Sequence, residues 1–165
     1  MSNNNDKMKV HYMSKSNEWA TPQDFFDRLD EEFRFTLDPA TDGINAKCDK
    51  FYTQEDDGLS QDWGGEHVFM NPPYGRAIKD WVKKASEEGS KPNTKVVALI
   101  PSRTDTRYWH DYIFGVANEV RFVKGRLKFG DGKNSAPFPS AVVIWDGDET
   151  FDGTTRMTTM KNKED

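Results

Sequence analysis

Residues 71–75 combine an amide side chain, two prolines, an aromatic ring and a glycine in one short segment. Two consecutive prolines remove two backbone donors and fix two φ angles, so the turn from Asn71 to Tyr74 is rigid. The Asn71 side-chain oxygen and the Pro72 carbonyl can accept hydrogen bonds from an amino group, while Tyr74 can stack on a ring. The pattern therefore indicates a site for a planar ligand that carries an NH2 group. The alternative is a strand-to-helix turn in which Asn71 caps and Tyr74 packs.

The spacing of apolar residues predicts the elements that must position this turn. Helical spacing predicts helices over residues 22–32, which follow Thr21-Pro22, over residues 76–88, and over residues 108–113, which precede Gly115. Apolar runs that alternate or continue predict strands over residues 33–37, 67–70, 95–100, 119–123, 126–129 and 140–145.

The order of these elements predicts an α/β fold with a mostly parallel sheet. No helix separates the runs after residue 119, so we expect them to be antiparallel strands at one edge. Ligands bind beyond the carboxyl ends of parallel strands. Three strand ends therefore meet at the expected binding edge: Asp38-Pro39, Asn71-Pro72 and Pro101-Ser102. We expect one domain over residues 17–146, a flexible N-terminal segment over 1–16 and a flexible tail over 147–165.

Composition excludes several other classes of protein. No apolar run approaches about 18 residues, and the N-terminus has no apolar signal region, so neither a transmembrane helix nor a secretory signal is expected. Cys48 is the single cysteine and the three histidines are dispersed, which excludes an internal disulfide and a cysteine-based zinc site. We expect a cytoplasmic domain that works without a metal.

Charge is distributed unevenly along the chain, whose net charge is −5. Residues 24–66 hold 13 acidic and 4 basic side chains, a net charge of −9, whereas residues 76–133 hold 13 basic and 7 acidic side chains, a net charge of +6. The basic half can dock on phosphate groups. An ordinary mixed surface accounts for the same numbers.

The sequence resembles a known family through these and further motifs. Asn71-Pro72-Pro73-Tyr74 is similar to the Asp/Asn/Ser-Pro-Pro-Tyr/Phe/Trp motif of S-adenosylmethionine-dependent amino-methyltransferases. The wider pattern resembles the phage-type DNA N-6-adenine methyltransferases over about residues 17–145. The segments that carry this resemblance are 18–22 (EWATP), 37–40 (LDPA), 56–59 (DDGL) with Trp63, 71–75 (NPPYG), 101–106 (PSRTDT), 125–129 (GRLKF) and 134–140 (NSAPFPS).

The resemblance implies a Rossmann-like methyltransferase domain with helices on both faces of the sheet, a reversed edge strand and S-adenosylmethionine as cofactor. It implies that the catalytic residues are Asn71, Pro72, Pro73 and Tyr74. The implied cofactor-binding residues are Trp19, Thr21, Pro22, Asp38, Pro39, Ala40, Asp56 and Asp57. The Gly-rich loop usual in such enzymes is absent, because only Gly43 closely follows Asp38.

Polar side chains in the basic half are candidates for DNA contacts. They are Arg103, Arg107, Arg126, Lys128, Lys133 and Asn134. For Arg126 and Lys128, a charged edge strand that protects the sheet explains the same pattern. Residues 134–140, with Pro137 and Pro139, form a stiff loop that can border the base pocket or simply connect two strands.

We therefore interpret the chain as a DNA adenine-N6 methyltransferase that acts on a flipped-out base in the cytoplasm, the host cytoplasm if a phage encodes it. Two alternatives stay open. One is an S-adenosylmethionine-dependent methyltransferase that acts on RNA or on a protein glutamine. The other is a non-catalytic nucleic-acid-binding module with the same fold.

Overall fold

The computed structural model describes residues 19–164. Within them, the helices are α1 (Gln23–Phe33), α2 (Ile78–Glu88) and α3 (Arg107–Tyr112), and a short 3-10 turn covers Gly58–Ser60. The strands are β1 (Leu37–Asp38), β2 (Lys50–Phe51), β3 (His67–Met70), β4 (Lys95–Pro101), β5 (Glu119–Lys124), β6 (Ser140–Asp146) and β7 (Arg156–Lys161). None of the helices in this part of the chain is long and apolar enough to cross a membrane.

The seven strands form one sheet in the order β2-β1-β3-β4-β6-β5-β7. All neighbouring pairs are parallel except the two that involve β6, which runs antiparallel to both β4 and β5. The predicted α/β fold with a mostly parallel sheet is confirmed. The expected edge position of the reversed strand is wrong, because β6 lies inside the sheet and a parallel strand, β7, closes that side.

Helices cover both faces of the sheet, as predicted. Phe26 of α1 packs edge-on against Phe69 of β3, with ring centroids 5.0 Å apart. Val68 points to the other face and is in register with Val96, which is paired with Trp145. On that face the Trp145 indole N–H donates to the carbonyl of Tyr112 in α3 at 3.0 Å. The turn that begins at Asn71 therefore follows a strand that is buried on both faces of the sheet.

Helix α1 forms because Phe25, Phe26 and Leu29 recur at helical spacing and are buried on one side. It ends at Arg34, whose backbone is left-handed with φ of 53°. The Asp30 carboxylate also accepts a hydrogen bond from the Phe35 N–H at 2.8 Å. The predicted strand over residues 33–37 is therefore wrong for its first four residues, because the helix end and its cap interrupt the extended backbone.

The predicted strand over residues 126–129 is also wrong. Gly125, with φ of 83°, ends β5 and turns the chain out of the sheet. Leu127 and Phe129 are buried while Arg126 and Lys128 are exposed, which produces the alternation of a strand. The segment instead begins a loop over residues 125–139, which we call the covering loop.

The predicted tail over residues 147–165 is contradicted by β7, which pairs in parallel with β5 along six residues. Both faces of β7 are largely exposed, so its sequence lacks the apolar period that marks a strand. The predicted flexible segment over residues 1–16 lies outside the described residues.

Candidate active site

Asn71 lies directly after β3 and its side-chain amide is held by three hydrogen bonds. Its Nδ2 donates to the Trp19 carbonyl at 2.7 Å and to the Thr21 Oγ1 at 3.1 Å. Its Oδ1 accepts from the Tyr74 hydroxyl at 2.9 Å. An amide oxygen accepts two hydrogen bonds, so Oδ1 has one further lone pair for a ligand.

Tyr74 lies in a cluster of aromatic rings and only 8% of it is exposed. The rings of Trp19, Phe129 and Phe138 lie 5.8, 6.4 and 5.4 Å from it, centroid to centroid. Its hydroxyl also donates towards the Leu99 carbonyl at 3.3 Å, and burial raises the pKa of Tyr74 above its ordinary value. The Tyr74 ring therefore packs against other side chains of the protein. Its hydroxyl contacts Asn71, which sequence reasoning missed.

A narrow cavity of about 30 Å³ lies beside Asn71, between the ends of β1 and β3. Twelve residues line it: Trp19, Ala20, Thr21, Asp38, Ala40, Thr41, Asn45, Lys47, Phe69, Asn71, Pro72 and Pro73. The parallel pairing of β1 with β3 places the two strand ends side by side, and Asn71 and Asp38 with them.

Asp38 is the buried acid of this cavity, with 5% of the residue exposed. Its carboxylate accepts hydrogen bonds from the backbone N–H groups of Lys47 at 3.0 Å and of Ala40 at 3.4 Å. Burial raises its pKa from 3.8 to about 6, although these N–H groups act in the opposite direction. A buried carboxylate of this kind favours a cationic ligand.

A broad cavity of about 680 Å³ adjoins the narrow one and shares Trp19, Ala20 and Asn45 with it. Its volume lies within the range of roughly 300–1,000 Å³ that is usual for ligand pockets. The rest of its lining comes from the covering loop: Phe129, Gly130, Asp131, Asn134, Ser135 and Pro137. Asn134, Ser135 and Pro137 of residues 134–140 thus border this cavity, and a base pocket at this place stays a prediction.

Hydrogen bonds hold the covering loop over the carboxyl ends of the strands. The Gly130 N–H donates to the Ala20 carbonyl at 2.9 Å, and the Ser102 N–H donates to the Pro139 carbonyl at 2.8 Å. The Arg126 guanidinium donates to the Ala136 carbonyl at 3.2 Å. These bonds bring Phe129 and Phe138, more than 50 residues distant in sequence, onto Tyr74.

Most of the residues suggested for the cofactor gather at the narrow cavity. Trp19, Thr21, Asp38 and Ala40 line it, and Pro22 and Pro39 adjoin them in the chain. Asp56 and Asp57 instead lie in an exposed turn, where Asp56 accepts hydrogen bonds from the backbone and hydroxyl of Thr53, and neither lines the two cavities. Sequence reasoning missed Thr41, Asn45 and Lys47, although their position after β1 could have indicated them.

The basic candidates lie on the surface, and three of them, Arg126, Lys128 and Lys133, belong to the covering loop. Arg103, Arg107, Arg126, Lys128 and Lys133 are all exposed. The Arg103 guanidinium lies 5.9 Å from the centre of the Phe138 ring, which places this charge beside the aromatic cluster. Arg126 and Lys128 do not protect a sheet edge, because their segment is not a strand and β7 is the edge.

An open, mostly parallel sheet with a cleft at the carboxyl ends of its strands is the arrangement of Rossmann-like ligand-binding domains. Within that class the chain belongs to the DNA N-6-adenine-methyltransferase (Dam) family, whose sequence profile matches residues 9–165.

Two relatives agree with this assignment. A protein named DNA N-6-adenine-methyltransferase from Escherichia phage T1 is 36% identical over 93 residues, which are 55% of this chain and 38% of the relative. A protein of the same name from Haemophilus phage HP1 is 32% identical over 114 residues, which are 67% of this chain and 65% of the relative. The chain thus matches less than two thirds of the length of either relative.

Proposed function

We propose that this protein transfers a methyl group from S-adenosylmethionine to the N6 amino group of adenine in DNA. The observation that carries the proposal is the fixed amide of Asn71 at the end of β3, which keeps one acceptor lone pair on Oδ1 and lines the narrow cavity. Membership of the family and the names of the two phage relatives support the choice of adenine in DNA. We assign the reaction to the cytoplasm, where the DNA of a bacterial host lies.

The acceptor nitrogen is the difficult partner in this reaction, because its lone pair is delocalised into the adenine ring. When bound, S-adenosylmethionine supplies a methyl group that its sulfonium already activates. The Asn71 Oδ1 and the Pro72 carbonyl accept hydrogen bonds from the two amino protons and orient the nitrogen towards that methyl group. These acceptors interact more strongly as the nitrogen gains positive charge, so they stabilise the transition state more than the bound substrate. The S–CH3 bond would break as the N–CH3 bond forms, and the methylated nitrogen would then lose one proton to water.

The base must leave the duplex before its amino group can reach Asn71, since stacking and pairing hide N6. The broad cavity, at about 680 Å³, has room for an extrahelical nucleotide. Asn134 and Ser135 contribute polar groups to it, and Phe129 contributes a ring. We assign the flipped adenine to this cavity, with its amino group reaching into the adjoining narrow cavity that Asn71 and Pro72 line. We assign the docking of the flanking phosphates to the exposed basic candidates.

The narrow cavity offers groups that fit the polar end of the cofactor. Asp38 has carboxylate lone pairs left for a sulfonium or ammonium cation, since its two hydrogen bonds come from backbone N–H groups. Lys47 also lines this cavity, and its ammonium donates to the Gln23 side-chain oxygen at 2.8 Å, which leaves two further protons for a carboxylate. A space of about 30 Å³ holds roughly one water, so the cofactor as a whole extends beyond it.

The proposal is tested by incubating the protein with labelled S-adenosylmethionine and DNA, RNA or protein, and measuring methylated products by mass spectrometry. We expect N6-methyladenine in DNA. Asn71→Ala should lower the single-turnover rate by about 10²–10³, as expected for the loss of one oriented polar group at a transition state. Ser86→Ala, on α2, is the control that should keep full activity.

Product in RNA or on a glutamine, but not in DNA, would replace the proposed substrate by one of the alternatives. A folded protein that methylates none of the three would favour the non-catalytic module. Thermal melts of the same samples check that Asn71→Ala acts on the rate and not on folding.

A further inference from the structure

The orientation of the Asn71 amide decides what it presents to a substrate. Both protons of Nδ2 are used, one on the Trp19 carbonyl and one on the Thr21 hydroxyl. A carbonyl oxygen only accepts, so the atom that faces Trp19 must be the nitrogen. A half-turn of the amide would set Oδ1 against that carbonyl and present N–H groups to the substrate amino group, where acceptors are needed.

Thr21 supplies the second of these two partners from an almost fully buried position. Only 4% of the residue is exposed, and its neighbour in the chain, Pro22, marks the start of α1. The hydroxyl lies 3.1 Å from the Asn71 nitrogen. A valine would fill nearly the same volume but would leave one amide proton of the half-buried Asn71 without its protein partner.

We propose that Thr21 is a positioning residue for methyl transfer, whose hydroxyl holds the Asn71 amide with its oxygen towards the substrate. This role differs from the cofactor contact that the family resemblance implies for Thr21. The inference rests on the proposed function, because it gives Thr21 a part in the same reaction. The Trp19 carbonyl can only accept and so selects this orientation, and the Thr21 hydroxyl takes the second amide proton and restrains the side chain in it.

Kinetics of Thr21→Val and Thr21→Ser separate positioning from packing or cofactor binding. We expect Thr21→Val to lower kcat by about tenfold, with the KM for S-adenosylmethionine and for DNA unchanged within twofold. Thr21→Ser keeps the hydroxyl and should recover kcat to within about threefold of the original protein. A rise in the KM for the cofactor without a fall in kcat would overturn the proposal in favour of a cofactor contact.

A double-mutant cycle tests whether Thr21 acts through Asn71. Adding Thr21→Val to Asn71→Ala should lower the single-turnover rate no further, since the amide to be positioned is already absent. A further tenfold loss in the double variant would overturn the proposal.

A nuclear magnetic resonance measurement tests the contact without any reaction. The Asn71 side-chain signals are identified in a 15N–1H spectrum by their loss in Asn71→Ala. We expect both protons to exchange slowly with water, one of them to shift and exchange faster in Thr21→Val, and both to be retained in Thr21→Ser. Should Thr21→Val fail to fold, fast exchange of both Asn71 protons in the original protein would still overturn the proposal.

Failure of the proposed function and failure of the proposed role of Thr21 would give different results. Absence of DNA methylation by the original protein would contradict the proposed function and leave the amide spectrum readable. Normal methylation together with an unchanged Asn71 spectrum in Thr21→Val would contradict the role of Thr21 alone.

Discussion

The buried carboxylate of Asp38 makes the candidate site sensitive to pH at the level of one residue. Its pKa of about 6 lies above the ordinary 3.8, so the folded protein holds the proton more tightly than the unfolded chain does. The stability that this proton contributes is present at low pH and is lost as the pH rises from about 4 to about 6. A cation bound beside the ionised carboxylate offsets that loss.

We therefore expect the affinity for S-adenosylmethionine to depend on the ionised form of Asp38. The Kd should stay constant above pH 7 and rise by up to about tenfold per pH unit below pH 6, as the carboxylate takes up its proton. Calorimetric titrations at pH 5, 6 and 7.5 measure it.

The same titrations on two variants test whether Asp38 is the group responsible. Asp38→Asn should bind weakly at every pH, whereas Asp80→Asn, an exposed acid on α2, should follow the original protein. A Kd that does not change between pH 5 and 7.5 would remove Asp38 from the cofactor site.

At the residue scale the sequence predicted the place of Asn71 but not all of its partners. The strand before it and the helix after it are local patterns, so the rigid turn could be recognised from residues 67–88 alone. The packing of Phe129 and Phe138 on Tyr74 depends on a loop that lies far along the chain, and no spacing rule indicates such a contact. Tyr74 was therefore expected as an open stacking surface, whereas its ring is covered.

At the scale of elements, β7 is the strand that sequence patterns failed to indicate. Its pairing with β5 satisfies backbone groups of an otherwise bare edge, but it buries too little side-chain area to show a period. Beyond its end the Asn162 side chain donates to the Arg126 carbonyl at 3.0 Å, which ties β7 to the start of the covering loop. The element is thus part of the scaffold for the site.

Removal of β7 should destabilise the whole domain. A chain ending at residue 154 loses the six-residue parallel pairing and the hydrogen bond between Gly115 N–H and the Thr155 hydroxyl, which is 2.9 Å long. At roughly 0.5–1.5 kcal/mol for each hydrogen bond, we expect the free energy of unfolding in urea to fall by about 3 kcal/mol or more.

A chain ending at residue 162 keeps all six paired residues and serves as the control, since it should unfold like the original protein. If the two shortened chains unfold at the same urea concentration, β7 contributes nothing to stability.

At the scale of the whole molecule, the acidic and the basic segment of the sequence contribute strands on opposite sides of β3 in the sheet. Strands β1 and β2 belong to the acidic segment over residues 24–66, whereas β4 and β5 belong to the basic segment over residues 76–133. In the sheet the first pair lies on one side of β3 and the second pair on the other. Asn71 follows β3 and therefore lies at the boundary, with the candidate cation site on its acidic side and the candidate phosphate contacts on its basic side.

This division predicts that DNA binding weakens steeply with salt although the net charge is −5. Each phosphate contact contributes about 0.9 to the slope of log K against log salt concentration, through the release of a counterion. Arg126 and Lys128 are exposed on the covering loop, so replacing both by alanine should make the slope shallower by nearly two units. Fluorescence anisotropy with a labelled duplex, measured between about 50 and 200 mM salt, gives the slope.

The matched control removes two positive charges from other parts of the molecule. Lys83 lies on the exposed side of α2, and Lys95 begins β4 at the end of the sheet opposite to Asn71. The Lys83→Ala, Lys95→Ala double variant changes the net charge by the same amount and should leave the slope within half a unit of the original, because contacts and not net charge determine counterion release. Equal slopes for both double variants would show that Arg126 and Lys128 do not contact phosphate, and DNA docking would then have to be assigned to other residues of the basic segment.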